Sequence, residues 1–387
     1  MTNCSNNYRS SYRVLDLDIL LVSDSKEFLE LFDKDYGWFK TPSINGRKRL
    51  NFSVRLSDPK NPFVRTNAAS LEKSGFPPQT QRTSLPRSNN QQSLKGHPNP
   101  VSCAHQTILR HLFNAFDDFV LLHAGVVVRN NQAVILAGPP GVGKTTLVLR
   151  LLDEGFTFFS DDFCPVHKES GLVHPFPRSV WVVEQTKHKD HQSGRKGKTS
   201  VAPDQLGAKV GDTPCRPGCI ICLDPGEGLP GFCELEIGLK QGCEAEFVRE
   251  LESLDGVSLC KLDTPFSEWR ITYPYASNLT GEVREFLKRY EHRIWNVYRN
   301  DKVQPDFQRA PVLNPISTHE AAFSLLRDLK QDLAFERGEE ASNDFPGRFF
   351  VELYDLLKGI PCYQFTVGSL EEMCGLVKEL RFGGLLD

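Results

Sequence analysis

The chain has 387 residues, enough for one large domain or two of ordinary size, and 39% of them are hydrophobic. Its 46 basic and 49 acidic residues leave a net charge of −3, so there is no overall basic field of the kind that holds a nucleic-acid backbone, and nucleic acid is not expected as a partner. With no run of 18 apolar residues and no apolar signal core at the N-terminus, neither a membrane nor export is expected, and a cytoplasmic location is.

In chain order, residues 14–22 alternate apolar and polar before becoming continuously apolar, which predicts a strand. Ser25 follows as the N-cap of a short amphipathic helix through Phe28, Leu29, Leu31 and Phe32. A second strand is predicted over 49–56, completing a small N-terminal α+β region at 1–56. Residues 57–100 are rich in Pro, Ser, Asn, Gln and Lys and offer little to bury, which predicts a mobile linker insert. Helical spacing resumes over 106–116. Two strands, 120–128 and 133–137, should then form a hairpin about the four-residue turn Arg129-Asn130-Asn131-Gln132.

The second of those strands runs into Gly138-Pro139-Pro140-Gly141-Val142-Gly143-Lys144-Thr145, followed by Thr146. This is the phosphate-loop pattern. Its glycines let backbone N–H groups curl around phosphates, Lys144 reaches the β and γ oxygens, and the Thr145 hydroxyl ligates Mg²⁺, so ATP and Mg²⁺ are the expected cofactors. The context is strand, loop, then a helix over 145–154 closed by Gly155, whose N-terminus adds partial positive charge. The competing reading is a glycine turn with no nucleotide.

A short apolar strand, 156–160, should then return parallel to the first and carry Asp161 and Asp162 to the phosphate end. There one carboxylate can hold Mg²⁺ and the other can accept the proton of an attacking hydroxyl; the alternative is that the pair caps a loop. His123 could face the γ-phosphate, although a lone His in an apolar strand is more often structural. Arg178 has the planar fork that suits a phosphate contact.

Eleven cysteines, an odd number, read as free thiols. Cys215, Cys219 and Cys222, with Cys233 and Cys243 further on, are the set whose spacing could begin a zinc site, but Cys219 and Cys222 lie on a short strand pattern that points them to opposite faces, which favours buried thiols. The basic stretch 187–198 reads as a loop, either solvated or closing over a ligand. Residues 281–298 and 318–335 have helical spacing, and Trp269, Tyr273, Tyr275, Trp295 and Tyr298 are either packing residues or a substrate groove.

Taken together, His123-Ala124-Gly125, Gly138 to Thr146, Gly155-Phe156, Ser160-Asp161-Asp162 and His174-Pro175-Phe176-Pro177-Arg178 resemble the HPr kinase/phosphorylase C-terminal domain and its related kinases, over about 118–182. A fainter likeness covers 362–372, and 1–56 is loosely similar to their small N-terminal β-region. The resemblance implies an α/β fold: a P-loop kinase domain, 101–387, of the HPr kinase and phosphoenolpyruvate carboxykinase-like type. It implies Asp161 as catalytic base, Thr145 and Asp162 as metal ligands, Lys144 on the phosphates, His123 near the transferred group, and an assembly of several subunits. The chain departs from the bacterial HPr kinases at Thr146, where they carry Glu, and in lacking their signature segment after the acidic pair. Related kinases of the lasso-peptide precursor type point instead to a Ser or Thr hydroxyl of a peptide or protein as acceptor. A metabolite hydroxyl, a non-catalytic ATP-binding regulator, and a hydrolase or phosphorylase are the alternatives.

Overall fold

The computed structural model describes residues 7–44, 46, 48–58, 60–70, 90–95, 99–183, 198–226, 232–240, 244–262, 268–274, 277–299, 305–326 and 345–380. At the N-terminus, β1 (Tyr8–Val14) and β2 (Leu17–Ser23) form an antiparallel hairpin. The single strand expected over 14–22 is therefore split. Leu15, at φ 55°, makes the turn with Asp16, and a bulky residue in that conformation leaves no turn signature in the sequence.

Ser25 caps α1 (Lys26–Tyr36) as expected, its Oγ accepting from the Phe28 N–H at 3.1 Å, and the helix buries Phe28, Leu29, Phe32 and Tyr36. β3 (Lys48–Arg55) lies parallel to β2, and β4 (Phe63–Ser70) and β5 (Asn90–Ser93) extend the sheet in the order β1-β2-β3-β4-β5. At Phe63–Ser70 and Asn90–Ser93 the chain is strand where a linker was expected over 57–100; residues 59, 71–89 and 96–98 of that stretch lie outside the described residues. β4 has only two large apolar side chains, Phe63 and Val64, but all eight of its residues register with β3, so the neighbour's ladder supplies order that its own composition does not. Asn99 then caps α2 (Pro100–Ala115), accepting from the Ser102 N–H at 2.9 Å with Pro100 in the first turn.

The expected strand 120–128 breaks at His123 into β6 (Phe119–Leu122) and β7 (Ala124–Arg129). β7 pairs with β8 (Gln132–Ala137) about a two-residue turn rather than a four-residue one, because Arg129 registers directly with Gln132. Asn130 and Asn131, at φ 52° and 59°, supply the paired left-handed conformations that such a tight hairpin needs. α3 (Lys144–Asp153) follows, ended by Gly155 at φ 86°. β9 (Thr157–Ser160) runs in the direction of β8 but pairs antiparallel with β7, and β10 (Cys164–His167) pairs with β6. A hairpin of β11 (Val180–Val183) and β12 (Lys198–Val201) leads to β13 (Arg216–Asp224), which lies parallel to β8.

A separate antiparallel sheet comprises β14 (Phe232–Leu239), β15 (Ser258–Lys261), β16 (Glu268–Pro274) and β17 (Ile294–Arg299), packed on α4 (Glu244–Glu252) and α5 (Ser277–Arg289). The helix expected over 281–298 thus ends at Arg289, and its last residues are strand: Val297 registers with Ile237, so a neighbouring edge overrides local periodicity. The chain then forms β18 (Val312–Ile316), α6 (318–326), α7 (Phe345–Leu357), β19 (Cys362–Thr366) and α8 (Leu370–Glu379).

The central sheet has the order β18-β19-β13-β8-β7-β9. Along β8, Ala133, Ile135 and Ala137 enter one apolar layer and Val134 and Leu136 the other, the period-two alternation of a strand covered on both faces. The first layer is closed by α2 and is continuous with the core of the N-terminal sheet. The second is closed by α3 and α8, in which Leu147, Val148 and Leu151 are essentially fully buried, each worth about 1.5–3 kcal/mol. The fold is mixed α/β with several sheets. No helix among the described residues is long and apolar enough to cross a membrane.

Candidate active site

Residues 138–143 carry the chain from the end of β8 to the start of α3, with Gly138, Gly141 and Gly143 at φ 150°, 81° and 102°. At Gly138 a Cβ would lie 2.8 Å from the carbonyl oxygen of Leu223 in β13, a backbone atom that cannot step aside. Gly138→Ala is accordingly expected to cost about 1–3 kcal/mol, seen as a lowered urea midpoint; an unchanged midpoint would show that the loop has room there. Lys144 is buried and curls back into the loop, its Nζ donating to the carbonyls of Gly138 at 2.6 Å and Pro139 at 3.3 Å. Gly143 provides no side-chain cap to α3, in contrast to Ser25 and Asn99 on α1 and α2. The first N–H groups of α3 thus have no side chain competing with an anion for them.

β9 delivers the acidic pair to this loop. Ser160 Oγ accepts from the Phe163 N–H at 3.1 Å, which turns the chain sharply after the strand. Asp161 then accepts from the Thr145 hydroxyl at 2.8 Å through Oδ2, while its buried Oδ1 has no hydrogen-bond partner. Burial, reinforced by the neighbouring Asp162 charge, pushes the Asp161 carboxyl up to about 7, against the pull of the Thr145 hydrogen bond and the Lys144 ammonium. Gly125 lets α3 pack close to β7: a Cβ there would lie 2.6 Å from Val148 Cγ2. The structure therefore brings Lys144, Thr145 and Asp161 together, with Asp161 rather than Asp162 against the Thr145 hydroxyl. Asp162 is half-buried, and Thr146 is exposed on the first turn of α3.

His123 sits at the break between β6 and β7. Its neighbour Ala124 registers with Ala137, the residue before the loop, so His123 lies at the loop end of the sheet, and its ring meets Phe163 edge-on at 6.5 Å between centroids.

Arg178 binds at the end of α1. Its Nη2 donates to Asp35 Oδ2 at 3.3 Å, and its guanidinium lies over the rings of Tyr36 and Phe163. Next to it, Ser179 Oγ donates to the Lys34 carbonyl. The pair joins the end of α1 to the segment that enters β11.

Cys219 packs in the layer under α3 and Cys222 in the opposite layer, so that Cys-x-x-Cys pair cannot converge on one ion. Tyr273 is buried in the separate sheet with Trp269 packed against it, a core role; Tyr275 and the side chains of Trp295 and Tyr298 lie outside the described residues. Of the basic stretch 187–198, residues 187–197 lie outside them too.

No protein-family model matches the sequence, and no curated protein does. Among solved structures the chain is similar to the Hpr(Ser) kinase/phosphatase from Coxiella burnetii, at 16% identity over 45% of this chain and 97% of that one, with a TM-score of 0.20. The functional reading rests on the geometry around residues 138–145 and 161–162.

One group near the loop has no signal in the sequence. Phe307 Cε1 lies 3.3 Å from the position a Cβ on Gly143 would take. It stands alone in a polar stretch far along the chain, and its nearness to the loop is a product of the fold.

Proposed function

We propose that this chain is an ATP- and Mg²⁺-dependent kinase that transfers the γ-phosphate to a Ser or Thr hydroxyl of a peptide or protein. The observation that carries this reading is Asp161: a buried carboxylate beside Lys144, with one oxygen on the Thr145 hydroxyl and the other unpaired. The backbone N–H groups of the loop from Gly141 to Thr145, Pro139 and Pro140 having none to give, and the Lys144 ammonium bind the phosphates, with Lys144 exchanging the Gly138 and Pro139 carbonyls for phosphate oxygens. The hydroxyl of Thr145 and the carboxylate of Asp162 are hard oxygen donors that fit Mg²⁺, which when bound would offset charge on the phosphates. Asp161 Oδ1 accepts the proton of the acceptor hydroxyl as its oxygen bonds to the γ-phosphorus and the bond to ADP breaks. A carboxyl that titrates near 7 is matched to that task at neutral pH. His123, at the same end of the sheet, is assigned to the surroundings of the transferred phosphate.

The acceptor class follows from the resemblance of residues 118–182 to the HPr kinase-related enzymes. The test follows labelled γ-phosphate, with Mg²⁺, into pools of Ser/Thr peptides and of hydroxyl metabolites, with Asp161→Asn as control. Label in peptide is the expected result. Label in the metabolite pool alone would change the acceptor class, and ATP binding without any transfer would favour a regulator. The homo-oligomer implied by the same resemblance is checked by sedimentation velocity, where a monomer at micromolar concentration would end that expectation.

A further inference from the structure

Residues 305–311 reach the phosphate loop from a distant part of the sequence and are held there by Arg309. Its Nε donates to the Val367 carbonyl at 2.7 Å, its Nη2 donates to the Pro225 carbonyl, and its own carbonyl accepts from the Ser369 N–H at 2.9 Å. Pro225 follows β13, which lies beside β8 on the side away from β7, and Val367 follows β19, the strand beyond β13. The close approach requires glycine opposite: a Cβ on Gly368 would lie 2.3 Å from the Arg309 carbonyl. Arg309 thus fastens the segment across the end of the sheet from which the loop springs.

Two residues earlier, Phe307 places its ring against Gly143 while remaining 43% exposed. A large aromatic ring held at a loop mouth by a fixed clamp presents a π-face that water solvates poorly. Independently, the buried and unpartnered Oδ1 of Asp161 marks the adjoining loop as a ligand site. We propose that Phe307 is the platform on which the nucleobase of the bound nucleotide stacks. The proposal rests on the reading of 138–145 as a phosphate site. A nucleoside leaving the loop on the Gly143 side meets this ring. Stacking uses the face of the base rather than its hydrogen-bonding edge, so ATP and GTP should bind comparably.

The test measures affinities of wild type, Phe307→Ala and Phe307→Trp for ATP, GTP and inorganic tripolyphosphate by calorimetry with Mg²⁺ present. Phe307→Ala should weaken both nucleotides by roughly 5- to 100-fold and leave tripolyphosphate unchanged, and Phe307→Trp should restore nucleotide binding. Unchanged ATP affinity in Phe307→Ala, or an equal change for tripolyphosphate, would overturn the platform while the phosphate site stands. A wild-type protein that binds neither nucleotide nor tripolyphosphate would overturn the phosphate site and the platform with it.

Discussion

Asp161→Asn is expected to lower phosphate transfer by about 10²- to 10⁴-fold, the range a positioned general base contributes, while ATP still binds. Asn is nearly isosteric, and its side-chain oxygen can keep the hydrogen bond from Thr145, so the loop should hold its shape. Two pH measurements accompany the rate. In the wild type, kcat/KM for the Mg²⁺ nucleotide, which reports the free enzyme, should rise with pH through about 7 as Asp161 ionises, and the variant should lack that limb. Stability should move in the opposite sense. The unfolded chain releases this proton near the ordinary carboxylate value of 3.8, whereas the folded protein holds it up to about 7. Between those values the folded state binds more protons, so this group's contribution is most favourable in acid and is lost as pH rises. Asn removes the burial cost of the charge, and the variant should melt several degrees above wild type at pH 8, with the gap closing toward pH 4. Transfer at the wild-type rate would remove Asp161 as base, and a melting difference independent of pH would remove the raised titration.

Lys144→Ala should weaken ATP binding by about 10- to 100-fold, since hydrogen bonds to a charged group are worth roughly 1.5–3 kcal/mol. The same loss is expected for tripolyphosphate, because this ammonium recognises phosphate and not base. Tripolyphosphate thereby separates the two variants, since Phe307→Ala should weaken nucleotides alone. Lys144 also donates to two loop carbonyls, so Lys144→Met, which keeps the aliphatic volume, separates loss of the charge from loss of packing. Calorimetry reads both variants, and ATP affinity at the wild-type level would remove the ammonium from the phosphate site.

What could be read early is what depends on neighbours in sequence. The alternation of β8, the caps at Ser25 and Gly155, and the opposed faces of Cys219 and Cys222 all follow from periodicity or from one residue's conformational range. The spacing Gly138 to Thr145 belongs to the same class, since each loop residue acts through its own backbone or side chain. The arrival of the acidic pair at the loop was legible too, because a helix of known rise returns the chain to the same end of the sheet, whereas the hydrogen bond from Thr145 to Asp161 came from the fold.

The misreadings have one physical origin. β4 and β5 carry the composition of a linker and become strands because β3 offers an edge, and β17 looks helical until β14 pairs with it. Arg178 has the chemistry of a phosphate ligand, yet the carboxylate that claims it is 143 residues away in α1. Phe307 approaches Gly143 only because Arg309 bonds to the ends of two strands remote in sequence. By itself the sequence determined the loop, its flanking strand and helix, and the acidic pair, since these rest on local backbone freedom and short-range geometry. Tertiary structure alone decided which carboxylate oxygen is left unpaired, where Arg178 is used and what borders the loop, because side-chain partners and backbone ladders are chosen by long-range packing.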